Sequence, residues 1–491
     1  MSKTLAELGL TARGGAEARI TGLAVDSREV TPGTLFAALP GSRVHGGEFI
    51  QYALRMDAAA ILTDRDGAAI AEAELAESGA ALVVVEDPRQ ALAHASALWF
   101  GAQPRKIIAV TGTNGKTSVT NFCRQIWMLL DHKAVNLGTT GVEGAWEFPL
   151  QHTTPEPITL HRALAAAAEA GVTHCAMEAS SHGLDQRRLD GVHLTAAGFT
   201  NFTQDHLDYH GTFEAYFAAK EALFSRVLPE DGIVALNIED TAVARVAPGA
   251  KARGQRIMRV GKQEGCDLQL LHARFDATGQ DLRFSFAGKA QQVRLNLIGG
   301  FQAENVLLAA ALVIGAGESP GRVFDTLGDL KGVRGRMELA ATRANGAAVF
   351  VDYAHTPDAI ETALSALRPH VMGRLVAIVG AGGDRDAGKR ILMGQAAAAH
   401  ADQVIVTDDN PRSEDPAAIR AAVREGCPEA TEEGDRAKAI LLGVDALGPG
   451  DALLICGKGH ETGQEIAGTK HPFDDVEQAS IAVAALDGLG A

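Results

Sequence analysis

The stretch IIAVTGTNGKTSVT, residues 107–120, decides how the central part of this chain folds. An apolar, β-branched run ends in a turn with two glycines, and residues 118–130 continue at helical spacing. The stretch therefore predicts a strand, a loop and a helix in direct succession. In that arrangement the loop N–H groups and the helix N-terminus both face one point, which favours the binding of an anion.

The loop within this stretch is typical of a phosphate-binding loop, with one departure. The general pattern GxxxxGK[ST] requires glycine at position 110, where this chain has Val110. Lys116 would reach the outer phosphates of a nucleotide, and the Thr117 hydroxyl would reach a magnesium ion. The alternative is a glycine turn that only connects strand and helix. The complete predicted loop is Gly112, Thr113, Asn114, Gly115, Lys116 and Thr117.

The rest of the chain predicts an α/β fold. From residue 106 onward, short β-branched runs alternate with Ala- and Leu-rich helical segments, as in βαβ units around a parallel sheet. Several runs end directly in polar residues, as AVFV does in DYAHTP and VIVT in DDNPR. Ligands bind beyond the carboxyl ends of such strands, so we expect two nucleotide-scale clefts. The predicted fold has a central P-loop-type parallel sheet and a Rossmann-like C-terminal domain.

Length and composition indicate three domains. The 491 residues exceed a single hydrophobic core, which stops growing at roughly 250 to 300 residues. Interruptions at GAQPRK and LKGVRGRME place the predicted domains at 1–100, 101–332 and 333–491. Apolar residues make up 46% and charged residues 22%, values typical of a globular protein.

Charge and cysteine usage exclude some classes of protein. The net charge of −16 argues against a broad nucleic-acid-binding face, which needs clustered Lys and Arg. The five cysteines lie far apart without a CxxC pair, which fits free thiols in a reducing compartment and argues against zinc. No run approaches the roughly 20 apolar residues that span a bilayer, and no apolar leader opens the chain. We expect a cytoplasmic monomer without nucleic-acid or membrane partners.

Two residues are candidate metal ligands beside the loop. Glu178, in CAMEASSHGLDQRR, follows a predicted strand, where a carboxylate would meet the magnesium ion that the loop needs. His206, in TNFTQDHLDYHG, comes near the end of the next strand. The alternatives are a solvated glutamate and a hydrogen-bonded structural histidine.

A lysine occupies a position where the helical period predicts a hydrophobic residue. In FEAYFAAKEALF, Phe213, Phe217 and Phe224 mark one face, and Lys220 lies at i+7 from Phe213. Burial would lower the pKa of Lys220 and leave a neutral, nucleophilic amine. Such an amine reacts with carbon dioxide to form a carbamate, which suits magnesium. The alternative is a lysine whose stem lies along the apolar face while its ammonium stays in water.

Together these motifs resemble the Mur ligase family, whose members use ATP to add amino acids to the peptide stem of the bacterial cell-wall precursor. The motifs that carry the resemblance, in family order, are TGTNGKT, Glu178, TNFTQDHLDYHG, the helix with Lys220, GRME and DYAHTP. VDSR, HTTP, SSHGLDQRR, GGDRD, DDNPR and GKGHE are most similar to members that use meso-diaminopimelate. The resemblance implies that ATP phosphorylates the D-glutamate carboxylate of UDP-N-acetylmuramoyl-L-alanyl-D-glutamate. The amine of meso-diaminopimelate then attacks the acyl phosphate.

The resemblance also implies the contacts of ATP and magnesium. Asn305 would contact adenine, Asp352 the ribose and Arg336 the terminal phosphate. The family often has asparagine where this chain has Gln302, which therefore receives no role. The implied catalytic residues are Lys116, Lys220, His206 and Arg336, and the implied magnesium ligands are Thr117, Glu178, His206 and the carbamate of Lys220.

For the other two substrates, the implied contacts lie in separate parts of the chain. Those of the uridine substrate are Ser27, Ser42, Arg43, Val44, Thr153, Thr154, Ser180, Gln186 and Arg188. Those of meso-diaminopimelate are Arg385, Asp409, Asn410, Pro411, Arg412, Gly457 and Glu461. Arg412 would grip the distal carboxylate, which lysine lacks, through two parallel hydrogen bonds. The alternative is a turn at Asn410 and Pro411 with a solvated arginine.

Two rival functions stay open at this point. An enzyme similar to folylpolyglutamate synthase would share the phosphate loop, the lysine helix and amide ligation. A P-loop switch would hydrolyse ATP only to change shape, which leaves the buried-face lysine unexplained. His355 and Asp358, in DYAHTPDA, are possible hydrogen-bonding partners near the cleft or residues that fix a turn, and we leave them outside the predicted site.

Overall fold

The computed structural model describes residues 2–41, 44–150 and 152–488. Within these ranges the larger sheets follow one another along the chain. After an antiparallel pair, β1 (Lys3–Thr4) and β2 (Arg19–Ile20), the first sheet is parallel, with its strands in chain order. Its strands are β3 (Gly22–Ala24), β4 (Thr34–Ala37), β5 (Ala60–Thr63) and β6 (Ala81–Val84). The accompanying helices are α1 (Ile50–Arg55), α2 (Arg65–Ile70), α3 (Glu72–Glu77) and α4 (Pro88–Phe100).

The central sheet contains β7 (Lys106–Thr111), β8 (Ala134–Gly138), β9 (Gly141–Gly144), β10 (His174–Glu178), β11 (Leu194–Phe199), β12 (Ile233–Asn237), β13 (Arg256–Gly261), β14 (Leu268–Asp276), β15 (Gly279–Phe286) and β16 (Lys289–Leu295). Their order across the sheet is β16-β15-β14-β13-β12-β11-β7-β10-β8-β9. The strands from β14 to β8 pair in parallel, whereas β9, β15 and β16 extend the edges antiparallel. The helices are α5 (Lys116–Leu129), α6 (Pro157–Glu169), α7 (Ser181–Asp185), α8 (Leu207–His210), α9 (Phe213–Ala222), α10 (Thr241–Ala244), α11 (Val246–Ala252), α12 (Phe301–Gly315) and α13 (Pro320–Thr326).

Both faces of the central sheet are buried, which explains why residues 107–110 in the interior of β7 are apolar. Side chains alternate along a strand, so Ile108 and Val110 pack against α5 and α12, whereas Ile107 and Ala109 pack into the core on the opposite face. β7 lies between β10 and β11, with Val110 beside Glu178. The loop after β7 and the carboxylate at the end of β10 are therefore neighbours.

The third sheet contains β17 (Glu338–Thr342), β18 (Ala348–Asp352), β19 (Leu375–Val379), β20 (Gln403–Val406), β21 (Thr431–Glu432) and β22 (Ala452–Cys456). Its order is β17-β18-β22-β19-β20-β21, and all pairs except β17 with β18 are parallel. A hairpin of β23 (Gly463–Ile466) and β24 (Thr469–Pro472) follows. The helices are α14 (Pro357–Leu367), α15 (Lys389–His400), α16 (Pro416–Arg424), α17 (Arg436–Asp445) and α18 (Asp475–Asp487).

The predicted α/β class and parallel sheets are confirmed. The strand ends lie where the sequence places polar residues: β10 ends at Glu178, β18 ends at Asp352, and β22 ends directly before Gly457. In the described ranges, no helix has both the length and the apolar character needed to cross a membrane.

Candidate active site

A cavity of about 470 Å³ lies where the carboxyl ends of central-sheet strands face the third sheet. Tyr353, His355 and Asp358 line it from the third-sheet side. Gly112, on the central-sheet side, does not line the cavity, but its carbonyl accepts hydrogen bonds from two lysines that do, Lys116 and Lys220. The predicted site residues that line the cavity are Thr113, Asn114, Gly115, Lys116, Thr117, Thr153, Glu178, Ser180, His206, Lys220, Asn305, Arg336 and Asp352.

The loop between β7 and α5 requires both of its glycines. Gly112 has φ +145° and Gly115 has φ +84°, values that favour glycine. A Cβ at Gly112 would overlap Thr200 Oγ1, and one at Gly115 would lie 2.7 Å from Asn305 Oδ1. The general pattern has a third glycine at position 110, but this loop does not need it, because Val110 still lies inside the strand.

Lys116 lies folded over its own loop. Its ammonium donates hydrogen bonds to the carbonyls of Gly112 and Thr113, both at 2.9 Å. Burial lowers the pKa of Lys116, while the charges of Glu178 and Asp205 oppose that shift. The ammonium thus lies at the mouth of the anion-binding loop, where an outer phosphate would meet it.

Glu178 is fixed at the end of β10 by hydrogen bonds to its carboxylate. It accepts from Thr139 N at 2.8 Å, from Thr117 Oγ1 at 3.1 Å and from Thr139 Oγ1 at 3.3 Å. A Cβ at Gly138 would overlap Glu178 Oε1, so this glycine makes room for the carboxylate. A carboxylate next to a threonine hydroxyl is a donor set that magnesium accepts.

Lys220 is 1% exposed and its Nζ donates to Gly112 O at 2.7 Å. Its Nζ also lies 4.6 Å from the centroid of the Tyr216 ring. The pKa of Lys220 is well below its ordinary value, first because of burial and second because of the nearby Lys116 charge. Among the described residues, no carboxylate forms an ion pair with it.

The apolar face predicted around Lys220 is correct for Phe217 and Phe224, which are buried, and wrong for Phe213. Phe213 is 37% exposed and lies beside the Phe202 ring, with centroids 4.5 Å apart. Phe213 is the first residue of α9, at the end of the helix that extends beyond the core. Its position around the helix axis therefore does not determine its burial. The helix changes to π-type at Leu223–Val227, so the 3.6-residue period is not maintained to Phe224.

His206 precedes α8 with φ +51° and approaches the Asp205 carboxylate at 3.4 Å. Burial lowers its pKa to about 4, an effect that the Asp205 charge opposes. The imidazole is therefore neutral near pH 7 and keeps a lone pair for a metal. The His182 ring lies 4.8 Å away, edge to face.

The third sheet supplies an arginine and an aspartate. Arg336 donates to Thr117 Oγ1 at 3.4 Å and lies over the Tyr353 ring at 4.6 Å, while its buried Nε has no hydrogen-bond partner in the described ranges. Asp352 accepts from Met337 N at 2.7 Å, and burial raises the pKa of this carboxyl. An unpaired guanidinium nitrogen in a cleft is the type of group that a phosphate would satisfy.

Of the two alternatives that the sequence left open for Asp358, the structure supports a hydrogen-bonding partner at the cleft, and its contacts join the two walls of the cavity. Asp358 Oδ2 accepts hydrogen bonds from Asn114 Nδ2 at 3.1 Å and from Thr203 Oγ1 at 2.9 Å. It lies in the first turn of α14, which Thr356 caps by accepting from Ala359 N. The capping motif TPD predicts a helix start, but only the fold shows that this start faces the phosphate loop. Gln302, which had no predicted role, accepts from Asn305 Nδ2 at 3.4 Å.

The residues predicted for the uridine substrate are only partly brought together. Arg188 donates to Thr154 O at 2.6 Å and to Gln186 Oε1 at 2.8 Å, and Thr154 Oγ1 accepts from Ser180 N. Thr153 Oγ1 lies 3.1 Å from Thr139 Oγ1. These contacts link Thr154, Ser180, Gln186 and Arg188, and of the five residues only Thr153 and Ser180 line the cavity.

The predicted contacts on the first sheet lie elsewhere. Ser27 begins a short 3-10 helix and Val44 is exposed, and neither lines the cavity of about 470 Å³. Ser42 and Arg43 lie outside the described residues. A second cleft of about 660 Å³ lies between α4 and the segment around Arg187, and its lining includes Pro40, Asp87, Arg89 and His94. Its lining shares no residue with that of the cavity of about 470 Å³.

The residues predicted for the amino acid meet in one cluster beyond the third sheet. Asn410 Nδ2 donates to Glu461 Oε2 at 2.9 Å, and the buried Lys458 donates to Asn410 Oδ1 at 2.8 Å. Arg412, at φ +52°, donates to Gly383 O at 2.8 Å and approaches Glu465 at 3.4 Å. Lys458 is a contact that sequence reasoning missed.

Four further predicted residues complete this cluster. A Cβ at Gly457 would overlap Asp409 Oδ2, which is buried without a hydrogen-bond partner in the part of the chain described. Arg385 is exposed in the same loop as Gly383 and donates to Asp384 O at 3.2 Å. Pro411 O lies against Gly383, where a Cβ would overlap it. The cluster thus contains one guanidinium held by Gly383 O and a second that is exposed to solvent.

Comparison with known proteins places this chain in a family. The family descriptions that match are "Mur ligase family, catalytic domain" at residues 19–99, "Mur ligase middle domain" at 110–313 and "Mur ligase, glutamate ligase domain" at 335–459. A relative from Caulobacter vibrioides, named UDP-N-acetylmuramoyl-L-alanyl-D-glutamate--2,6-diaminopimelate ligase, is 50% identical over 479 residues, or 96% of each chain.

Solved structures agree. A structure with the same ligase name has a TM-score of 0.70 and 33% identity and covers 99% of both chains. Mycobacterium tuberculosis folylpolyglutamate synthase complexed with ADP has a TM-score of 0.63 at 20% identity, covering 82% of this chain and 95% of its own, which shows a shared fold alone. The full-length identity, the matched segments and the cavity geometry lead to one conclusion: the chain belongs to the Mur ligase family.

Proposed function

We propose that this protein is an ATP-dependent ligase that joins meso-diaminopimelate to the D-glutamate carboxylate of UDP-N-acetylmuramoyl-L-alanyl-D-glutamate. The observation that carries the proposal is one cavity that holds the phosphate loop, Glu178 and the buried Lys220. The name of the relative that is 50% identical over nearly the whole chain supports the substrates. The product would be a precursor of the peptidoglycan stem.

The chemistry follows from the weakness of a carboxylate as an electrophile. Transfer of the terminal phosphate of ATP to a D-glutamate oxygen forms a C–O–P bond and releases ADP. The diaminopimelate amine then attacks the carbonyl carbon, and the C–O bond breaks with phosphate as the leaving group. The protein's task is to hold the reactants in line and neutralise the phosphate charges.

Each wall of the cavity has a share in that task. The N–H groups of the 112–117 loop would cradle the phosphates, with Lys116 and the orphan Nε of Arg336 on the outer ones. Thr117, Glu178 and neutral His206 would hold magnesium, which supplies charge neutralisation at the phosphate oxygens when bound. The oxygen donors of Thr117 and Glu178 fit that ion, and His206 would add a single nitrogen donor. Asn305, held by Gln302, would contact adenine and Asp352 the ribose.

Lys220 would act as a carbamate. Its buried, depressed-pKa amine would attack carbon dioxide, forming an N–C bond and releasing one proton to solvent. The resulting carbamate would face Lys116. The charge of Lys116 lowers the pKa of the unmodified Lys220 amine, and the same charge would stabilise the carbamate anion. The modified side chain would complete the magnesium donor set near the reacting carboxylate.

The cluster around Arg412 would select the amino acid. Its Nη1 donates to Gly383 O and its Nε approaches Glu465, so the two N–H groups of Nη2 remain to bind the distal carboxylate of diaminopimelate. Arg385 would move in as a second partner, and Glu461 would accept from the distal amine. Asp409, Asn410, Pro411 and Gly457 would shape the pocket.

For the uridine substrate, we propose that Thr153, Thr154, Ser180, Gln186 and Arg188 hold the part near the cavity, and that Ser27, Ser42, Arg43 and Val44 hold the part on the first sheet. The second cleft of about 660 Å³ supports a path between the two. We further propose domains at 1–100, 101–332 and 333–491, a monomer, and a cytoplasmic location where ATP and the precursor are available.

The test is product analysis of the purified protein with ATP, magnesium, the uridine dipeptide substrate and meso-diaminopimelate. We expect one ADP for each new amide, and no ADP release above background when either substrate is omitted. An enzyme acting like folylpolyglutamate synthase would instead ligate glutamate to a folate. A switch protein would release ADP without any amide.

A further inference from the structure

A second polar cluster lies at the opposite end of the central sheet, where the proposed ligation has no use for it. His174 begins β10, the strand that ends at Glu178, so the two lie roughly 13 Å apart along the strand. His132 follows α5 and Glu318 follows α12. One ligand atom from each of the three lies within 4.8 Å of the others. We propose that His132, His174 and Glu318 bind a divalent transition-metal ion of the zinc type.

The pair of His132 and Glu318 is already close to metal-binding geometry. His132 Nε2 lies 2.8 Å from Glu318 Oε1, yet this buried nitrogen makes no well-formed hydrogen bond within the described ranges. Ligand atoms around a tetrahedral metal at about 2.0 to 2.1 Å lie roughly 3.3 Å apart. The two side chains are 31% and 17% exposed, so the two atoms can move about half an ångström further apart without any movement of the core.

His174 is held with one nitrogen directed at the cluster. Thr173 Oγ1 donates to Lys133 O at 3.3 Å and lies 2.8 Å from His174 Nδ1, an arrangement in which the hydroxyl oxygen would accept a proton from Nδ1. That hydrogen bond leaves the lone pair on Nε2, as in metal sites where an outer partner orients the ligating imidazole. The His132 and His174 rings lie 4.2 Å apart with an angle of 34° between their planes.

The donor set determines which cation fits. Two imidazoles and one carboxylate suit zinc, cobalt or nickel, whereas magnesium and calcium prefer oxygen ligands throughout. The spacing of the cysteines argues against a zinc site with thiolate ligands, but it does not bear on a site made of His and Glu.

The position of the site gives it a structural role. It joins the end of α5, which starts at Lys116, to the end of α12, which carries Asn305. A metal at this point would fix the far ends of two helices whose other parts line the cavity. Binding to the folded state alone would also raise the melting temperature.

The experiment is calorimetric titration of the full-length, chelator-treated protein with ZnCl₂, without nucleotide or magnesium. We compare wild type with Glu318→Gln and His132→Gln, and with the matched control His193→Gln, an exposed histidine outside the cluster. We expect wild type and the control to show one more zinc site than Glu318→Gln. The His132→Gln site should be at least about tenfold weaker, the lower limit for losing even an outer partner.

A local readout separates this site from zinc bound in the catalytic cavity. The Trp127 ring lies 4.9 Å from the His174 ring, so cobalt at the cluster should quench Trp127 fluorescence in a Trp99→Phe, Trp146→Phe background. Adding Glu318→Gln to that background should abolish the quenching. Equal zinc stoichiometry and affinity in all four proteins, or quenching that survives Glu318→Gln, would overturn the proposal.

Discussion

The phosphate end of the cavity and the cluster around Arg412 are built in different ways. At the phosphate end, one contiguous loop of residues 112–117 supplies the anion site through its backbone, and its shape depends on Gly112 and Gly115. The Arg412 cluster is assembled from the side chains of three separate segments, 382–385, 409–412 and 457–465, which hydrogen-bond to one another. In the proposed function the first arrangement would bind the phosphates of ATP, whereas the second would discriminate between amino acids. We therefore expect changes at the phosphate end to abolish all ligation and changes in the cluster to alter specificity.

The largest effect is expected for Lys116→Ala. It removes the ammonium that faces the outer phosphates, and loss of one such charge-stabilising group typically lowers kcat by about 10²- to 10³-fold. Ligation should fall equally for every amino acid tested. The exposed Lys251→Ala serves as the control, and a near wild-type rate in Lys116→Ala would refute the assignment.

The next largest effect is expected for Lys220→Ala, with a loss on the order of 10²-fold for the same electrostatic reason. Added acetate or formate should restore part of the activity, because its oxygens would replace those of the carbamate. The same acids should not rescue Lys116→Ala. Full activity in Lys220→Ala, without any response to carboxylates or bicarbonate, would contradict a carbamate.

Arg412→Ala should separate the two regions most clearly. A lost charge-assisted pair costs about 1.5 to 3 kcal/mol, or roughly 10- to 150-fold in kcat/KM for meso-diaminopimelate. Weak use of L-lysine should change little, since lysine has no distal carboxylate. The measurement is kcat/KM for both amino acids, with the exposed Arg322→Ala as control. An equal loss for both would mean that Arg412 only supports the fold.

A smaller effect is expected at the contact that joins the walls. Asp358→Asn weakens acceptance from Asn114 and Thr203, and a net hydrogen bond is worth about 0.5 to 1.5 kcal/mol. We expect a rise in KM for ATP of about 2- to 10-fold, with the preference for diaminopimelate unchanged. A shift in amino-acid preference instead would break the proposed division between the two regions.

The smallest effect is expected for pH. Between pH 8 and pH 5.5, the contribution of His206 to magnesium-dependent ADP binding should not change. The folded pKa of His206 is lowered to about 4, so its neutral form persists as pH falls through 6.5 and is lost only toward pH 4. The difference in Mg²⁺-dependent ADP affinity between wild type and His206→Asn should stay constant from pH 8 to pH 5.5. A difference that disappears with a midpoint near pH 6.5 would show an ordinary, solvated histidine.

The same contrast explains how much the sequence could predict. The strand, loop and helix around Lys116 follow from local pattern, because glycine spacing and apolar alternation act within a few residues. Lys220 was predicted to be buried on periodicity, but Phe213 was wrongly included, since the distance of a helix end from the core is a tertiary property. Asp358 and Lys458 could not be assigned, because their partners lie 244 and 48 residues away along the chain. The domain boundaries and the roles of individual site residues stay predictions.

The proposed ligation of meso-diaminopimelate needs both the phosphate end of the cavity and the cluster around Arg412. The direct measurement is mass spectrometry of the nucleotide product formed from ATP, the uridine dipeptide substrate and an equimolar mixture of meso-diaminopimelate and L-lysine. The account predicts that nearly all product carries diaminopimelate, with one ADP released for each amide formed. Comparable amounts of the lysine product, or ADP release without an amide, would contradict it.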